Sequence, residues 1–304
     1  MSRYGLVVAL LLPLFASARA PAAENVVEGW RSPFGVSRSV SVNPADGSAW
    51  AVTGASVMHV SAEGAVLSQT SGIPSPWSVA ASPADGSCWV LDYRTAQVVH
   101  LGADGKEVAR VSGPEFAGTI AANATDGSCW VGGFRQISHL AADGSIIWST
   151  SFIEGGAVGD ISVNPKDGSC WVTYQSPIYG NGRVSHLAEN GTELWRGEDL
   201  DSPLAVAVNR TDGSCWVAGG DSGQVIHLSA AGGEIARIGG FGMPSDVAVN
   251  PDDGSCWLVD GSGHAVIHLS EGGSELWRAA YIQPASVSVN PADGSCWVAD
   301  DCSG

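Results

Sequence analysis

The sequence predicts an all-β chain, and three observations predict it. A block reading Asp-Gly-Ser-Cys-Trp, or Asp-Gly-Ser-Ala-Trp in the first copy, occurs seven times, with its tryptophans at Trp50, Trp89, Trp130, Trp171, Trp216, Trp257 and Trp297, 39 to 45 residues apart. Between copies, short β-branched and aromatic runs alternate with Gly-, Asp- and Ser-rich turns, and no run outside the N-terminal segment carries a helical apolar period. The composition agrees: 40 Gly, 12 Trp and only 15% charged residues suit many strands joined by tight turns.

One repeat shows the expected elements in order. Residues 246–250 (Asp-Val-Ala-Val-Asn) alternate as strand A, and Pro-Asp-Asp-Gly-Ser at 251–255 is turn chemistry. Residues 256–260 (Cys-Trp-Leu-Val-Asp) read as strand B, 265–270 (Ala-Val-Ile-His-Leu-Ser) as strand C and 274–278 (Ser-Glu-Leu-Trp-Arg) as strand D. Four short strands with tight turns make an antiparallel meander. Repetition of that unit calls for radial closure, which removes the long free edges of a flat sheet. The expectation is a seven-bladed β-propeller of four-stranded antiparallel blades, with six or eight blades as alternatives. The last copy holds only A and B strands. Residues 26–31 (Val-Val-Glu-Gly-Trp-Arg) resemble a D strand, so an N-terminal strand is expected to join the last blade and close the ring.

Residues 1–20 read as an export signal. Arg3 is the basic start, residues 5–16 the apolar core and Ala18-Arg19-Ala20 the small-residue cleavage site, with Pro21 shifting the cut a few residues on. Residues 21–304 then form one propeller domain, secreted or periplasmic, monomeric and with no transmembrane segment after signal removal. The net charge of −17, with 14 Lys plus Arg against 31 Asp plus Glu, repels phosphate backbones and argues against nucleic acid.

Three repeated residue types invite functional readings and receive structural ones. One His per unit (His59, His100, His139, His186, His227, His268) follows its Trp by 9, 11, 9, 15, 11 and 11 residues. These separations differ by even numbers, which keeps each His opposite its Trp across a hairpin. Six cysteines (Cys88, Cys129, Cys170, Cys215, Cys256, Cys296) share one repeat position with Ala49. Equivalent positions on packed sheets lie about 10 Å apart, beyond the roughly 7 Å a disulfide spans, so they are expected to be buried thiols. Cys302 stands outside the pattern, free or paired. Calcium is possible for the Asp-Gly turns but unsupported, because it needs about six to eight converging oxygens and the turns are spread one per blade. No cofactor is expected.

The A–B and C–D turns are nearly invariant among the copies, whereas the B–C and D–A loops differ, so the latter form the candidate binding face. The longest B–C loop, 173–182, carries Tyr174 and Tyr179, and the next D–A loop carries Glu198, Asp199 and Asp201. These residues, with Trp77, Arg94 and Arg135, are the candidate ligand contacts. Tyr93, Glu115, Phe116, Phe134, Glu154, Tyr281 and Asp300 lie on the same face. Asp160 and Asp246 begin two A strands at the central channel, where carboxylates serve as metal ligands, as a general base or as caps on backbone amides.

The run 244–260 (Pro-Ser-Asp-Val-Ala-Val-Asn followed by Asp-Gly-Ser-Cys-Trp-Leu-Val-Asp) resembles the NHL repeat, and 266–277 is similar to quinoprotein-type propeller repeats. The Asp that closes strand B in NHL repeats is kept only as Asp92, Asp260 and Asp300. The resemblance implies a propeller. Such propellers include protein-binding scaffolds, lactonases and lyases, and none of their catalytic sets is matched here. The expected function is a non-catalytic scaffold for a protein, glycan or small-molecule ligand; the alternative is a metal-assisted hydrolase or lyase of the lactonase or antibiotic-lyase propeller type.

Overall fold

A computed structural model describes residues 6–11, 27–28, 37–151, 156–175, 181–280, 283–291 and 293–300. Every described element longer than a turn is a strand, and every sheet is antiparallel. Blade 1 comprises Ser37–Val42, Ala49–Thr53, Ser56–Val60 and Val66–Thr70, and blade 2 Pro76–Ala81, Cys88–Asp92, Gln97–Leu101 and Glu107–Ser112. Blade 3 runs Thr119–Ala122, Cys129–Gly132, Gln136–Leu140 and Ile146–Ser151, and blade 4 Ala157–Val163, Cys170–Gln175, Asn181–Leu187 and Glu193–Asp201. Blade 5 is Pro203–Val208, Cys215–Gly219, Gln224–Leu228 and Glu234–Gly239, and blade 6 Pro244–Val249, Cys256–Asp260, Ala265–Leu269 and Glu275–Ala280.

The blade count corrects the sequence expectation. Among the described residues the structure has six blades, not seven, because only six copies of the repeat fold as contiguous four-strand meanders. The seventh copy carries A- and B-strand sequence alone. It lays Pro284–Val289 and Cys296–Asp300 between blades 6 and 1. The outer positions of that composite sheet are filled from the other end of the chain, by Leu6–Leu11 against Cys296–Asp300 and by Val27–Glu28 outside it. Closure therefore uses two N-terminal strands rather than one. The strand filling the C position comes from the apolar stretch read as the export-signal core.

The core lies between neighbouring sheets. Strand B places consecutive residues on opposite faces, and the repeat uses this alternation at its Cys-Trp pair. Trp50 packs with Cys88, Trp89 with Cys129, Trp130 with Cys170, Trp171 with Cys215, Trp216 with Cys256 and Trp257 with Cys296. Trp297 closes the series against the blade containing Ala49. A tryptophan thus separates each cysteine from the next, all six described cysteines are fully buried, and Cys88, Cys129, Cys170, Cys215 and Cys256 are thiols. Ala49 shows that the position asks for a small apolar group.

The turns follow from their residues. In each Asp-Gly-Ser turn the glycine takes a positive φ, near 70° to 77°. The Asp side chain accepts the amide two residues on, as Asp85 does from Ser87 at 3.1 Å. In the same turns the amide of the residue before the Pro position donates to the serine carbonyl, as Asn250 N does to Ser255 O at 2.8 Å. On the opposite face the loops have no common sequence, and that face surrounds one mouth of the central channel.

Candidate functional site

The most motif-like residues form a network inside and between blades. In blade 2, Ser87 Oγ donates to Asp85 Oδ1 at 2.6 Å, His100 Nε2 lies 2.8 Å from Ser87 Oγ, and His100 stacks on Trp89 at 4.2 Å between centroids. Trp89 Nε1 then donates to Gly127 O of the next blade at 3.0 Å. Since the serine proton goes to the aspartate, His100 Nε2 carries the hydrogen and the chain runs His to Ser to Asp. The same Trp-His stack occurs in all six blades, with Trp and His directly paired across strands B and C. Burial lowers the pKa of His59, His100, His139, His186 and His227, so these rings are neutral near pH 7.

The inter-blade link has two forms. Where strand D places a small residue opposite the His (Ser68, Ala109, Ala236), the Trp Nε1 reaches a glycine carbonyl of the next blade, at 3.2, 3.0 and 3.3 Å from Trp50, Trp89 and Trp216. Where strand D carries Trp148, Trp195 or Trp277, that ring meets the strand-B ring at a steep angle, 5.0 to 5.4 Å between centroids. The indole N–H of Trp130, Trp171 and Trp257 then has no acceptor among the described residues.

The channel is lined by the free edges of the A strands. Their amides are taken by side chains of the preceding sheet: Val79 N by Ser39 Oγ at 3.2 Å, Ala81 N by Ser41 Oγ at 3.0 Å, Val208 N by Ser162 Oγ at 3.0 Å and Val42 N by Ser288 Oγ at 3.1 Å. Asp160 and Asp246 stand in the same ring and each takes two amides. Asp160 Oδ1 accepts from Ile161 N at 2.8 Å and from Thr119 Oγ1 at 3.0 Å, while its Oδ2 accepts from Val206 N at 3.0 Å. Asp246 Oδ1 accepts from Val247 N at 2.9 Å and its Oδ2 from Val287 N at 2.8 Å. The preceding blades explain the need. Thr119 Oγ1 turns to Asp160, and Ala205 has no side-chain oxygen to offer Val247 N, so each carboxylate covers its own neighbour as well as the next sheet.

Both carboxylates are half-buried on the channel wall. Poor hydration raises the Asp160 pKa. It lifts Asp246 to about 7, with the Asp160 charge adding to the rise. A cavity of about 350 Å³ opens over them, and its rim includes Arg38 and Trp77. Among the described residues no three His, Cys, Asp or Glu side chains converge as a metal-ligand group.

The sequence-selected contacts fall in different places. Tyr174 is buried, with Arg183 over its ring at 4.5 Å. Tyr179, Glu154, Tyr281 and Cys302 lie outside the described residues, as do the side chains of Glu198, Asp199, Asp201 and Asp300. Trp77, Arg94 and Arg135 are exposed on the variable face of blades 2 and 3.

There they join residues whose grouping was not read from the sequence. Trp77 packs on Tyr93 at 5.0 Å with Arg38 over its outer face at 4.9 Å, and Phe116 meets Phe134 edge-on at 6.4 Å with Arg135 over Phe134 at 5.5 Å. Asp92 holds the blade-2 turn by accepting Arg94 N at 3.0 Å. Phe134 N donates to Glu115 O at 2.9 Å and Arg135 N to Gly156 O at 3.3 Å. Phe116 and Arg135 occupy left-handed backbone, φ 51° and 60°, at a cost of about 1–2 kcal/mol each for non-glycine residues. Blade 5 uses Gly223 at the place of Arg135, immediately before strand C. The signal available in sequence was the pair of dipeptides Tyr93-Arg94 and Phe134-Arg135 at equivalent B–C turns, which no other copy carries.

Fold and site together define a β-propeller with repeated internal polar clasps and one blade-specific surface. Among solved structures it is similar to hydrazine synthase of Kuenenia stuttgartiensis, with a TM-score of 0.74 and 14% identity over 87% of this chain and 92% of that one. That likeness is one of fold. No family model matches the chain, the NHL family included, and no curated protein matches it.

Proposed function

We propose that the chain is an extracytoplasmic binding scaffold that presents a non-catalytic ligand site on the B–C and D–A face. The observation that carries this reading is the employment of its polar groups. The repeated Asp, Ser, His and Trp side chains bond within and between blades, and the two channel carboxylates are committed to backbone amides. The aromatic rings left facing solvent among the described residues, Trp77, Tyr93, Phe116 and Phe134, are blade-specific. The apolar, Arg-led N-terminal segment supports export.

The alternative, a metal-assisted hydrolase or lyase, is favoured by one observation: Asp246 has a pKa near neutrality beneath an open channel mouth, as a general base requires. Turnover assays on aliphatic and aromatic lactones and esters, with and without calcium or zinc, separate the two. The binding reading expects no turnover above buffer and no saturable rise in thermal stability with either metal. Turnover that disappears in Asp246→Ser and leaves its fold intact would overturn it.

A further inference from the structure

We infer that the arc of aromatic and arginine side chains on blades 1 to 3 is a docking surface for a carboxylate-bearing polysaccharide; this rests on the binding-scaffold reading and names its ligand class. The exposed aromatic rings of the described chain are Trp77, Tyr93, Phe116 and Phe134, at 36%, 47%, 68% and 42% exposure, and all four belong to this arc. The other exposed large apolar residues are aliphatic and sit on outer strands, one or two per blade.

The charges sort in the same way. Arg110, Arg196, Arg237 and Arg278 are paired with the glutamate three residues earlier on their own strands. Arg183 covers Tyr174, and Arg210 lies at the opposite end of the channel. Arg38, Arg94 and Arg135 have no acidic partner among the described residues, and all three flank the exposed rings. In a chain of net charge −17, a cationic surface built of arginine and stacked rings is complementary to an anion. Glu115 is the exposed carboxylate within the arc.

A glycan fits better than an acidic peptide. Extended peptides gain affinity by adding to a free strand edge. Here the loop amides are already used: Tyr93 N donates to Ser75 O, Phe134 N to Glu115 O and Arg135 N to Gly156 O. Recognition is left to ring faces and guanidinium groups, which match the flat apolar faces and ring carboxylates of uronate sugars. Successive rings on adjacent blades suit a ligand with repeating units.

The test is affinity electrophoresis of the full chain through gels containing polygalacturonate, dextran or poly-L-glutamate. Polygalacturonate is expected to retard the protein, dextran not. Retardation should weaken at least tenfold in Tyr93→Ala and in the Arg94→Gln/Arg135→Gln double variant, both with unchanged thermal midpoints, and should fall with salt. Glu115→Gln should strengthen it. Absence of retardation by polygalacturonate, or equal retardation of Tyr93→Ala and the parent, overturns the inference. Retardation by poly-L-glutamate alone, lost in the arginine variant, overturns the glycan and leaves the binding scaffold standing. Catalytic turnover without binding to any polymer removes both.

Discussion

His100 lies flat on Trp89, 4.2 Å between centroids and 9° from parallel, while its Nε2 reaches Ser87. Burial keeps the imidazole neutral in blades 1 to 5. His59, His100, His139, His186 and His227 therefore have folded pKa values below the unfolded value of about 6.5. The unfolded chain takes up these protons more readily. Their contribution to stability is complete above about pH 6.5 and drains away as the pH falls toward the folded values. The thermal midpoint should drop between pH 7 and pH 5, and His100→Gln should reduce that slope.

Asp246 acts in the opposite sense. Its folded pKa, raised to about 7, gives a contribution that is complete below about pH 3.9 and is lost as the pH rises through 7. Asp246→Ser should flatten the fall in stability between about pH 4 and pH 7. The same substitution leaves one of two amides uncapped and should cost about 1–2 kcal/mol at pH 5, with channel water replacing part of the bond. Urea melts at both pH values check this.

The two forms of inter-blade link predict unequal costs for one substitution. Trp89→Phe deletes the hydrogen bond to Gly127 O, whereas Trp257→Phe deletes an indole N–H that has no acceptor among the described residues. Both shrink a buried ring. Trp89→Phe should be the more destabilising by about 1–2 kcal/mol in chemical denaturation.

The thiols of Cys88, Cys129, Cys170, Cys215 and Cys256 should be silent. Burial pushes the thiol pKa up at Cys88, Cys129, Cys170, Cys215 and Cys256, and each is packed against a tryptophan of the preceding blade. A thiol reagent at pH 8 should label these positions only after denaturation. Cys88→Ala, which copies Ala49, should cost about 1 kcal/mol or less.

A chain beginning at Pro21 removes Leu6–Leu11, the strand paired with Cys296–Asp300. Amide exchange should then accelerate in Cys296–Asp300 and leave blades 2 to 5 unchanged, which hydrogen-exchange mass spectrometry resolves.

Much of this structure was legible because the repeat writes it seven times. Strand B begins at the cysteine in every Cys-bearing copy, and the even Trp-to-His separations placed His100 opposite Trp89 and His186 opposite Trp171 despite the longer loop between them. Blade number was misread because a copy was equated with a blade. The last copy supplies two strands, and its partners come from the other end of the chain: Leu6–Leu11 from the stretch read as an export signal, and Val27–Glu28 from the D-like stretch expected to close the ring. The site was harder to read. Tyr174 looked like a loop residue but ends strand B and is buried, whereas Arg38 gave no sign that it would lie over Trp77, because that contact joins neighbouring blades.

The serine and aspartate caps around the channel all reach the same way, from one blade to the next. The surface that gives the side chain differs from the surface that receives it, so the contact between blades is heterologous and has a direction. Such a contact closes only when the last sheet meets the first. A molecule whose closing strands are lost exposes two complementary, unlike ends, and the bonds that made a ring can then join separate molecules head to tail into a fibre.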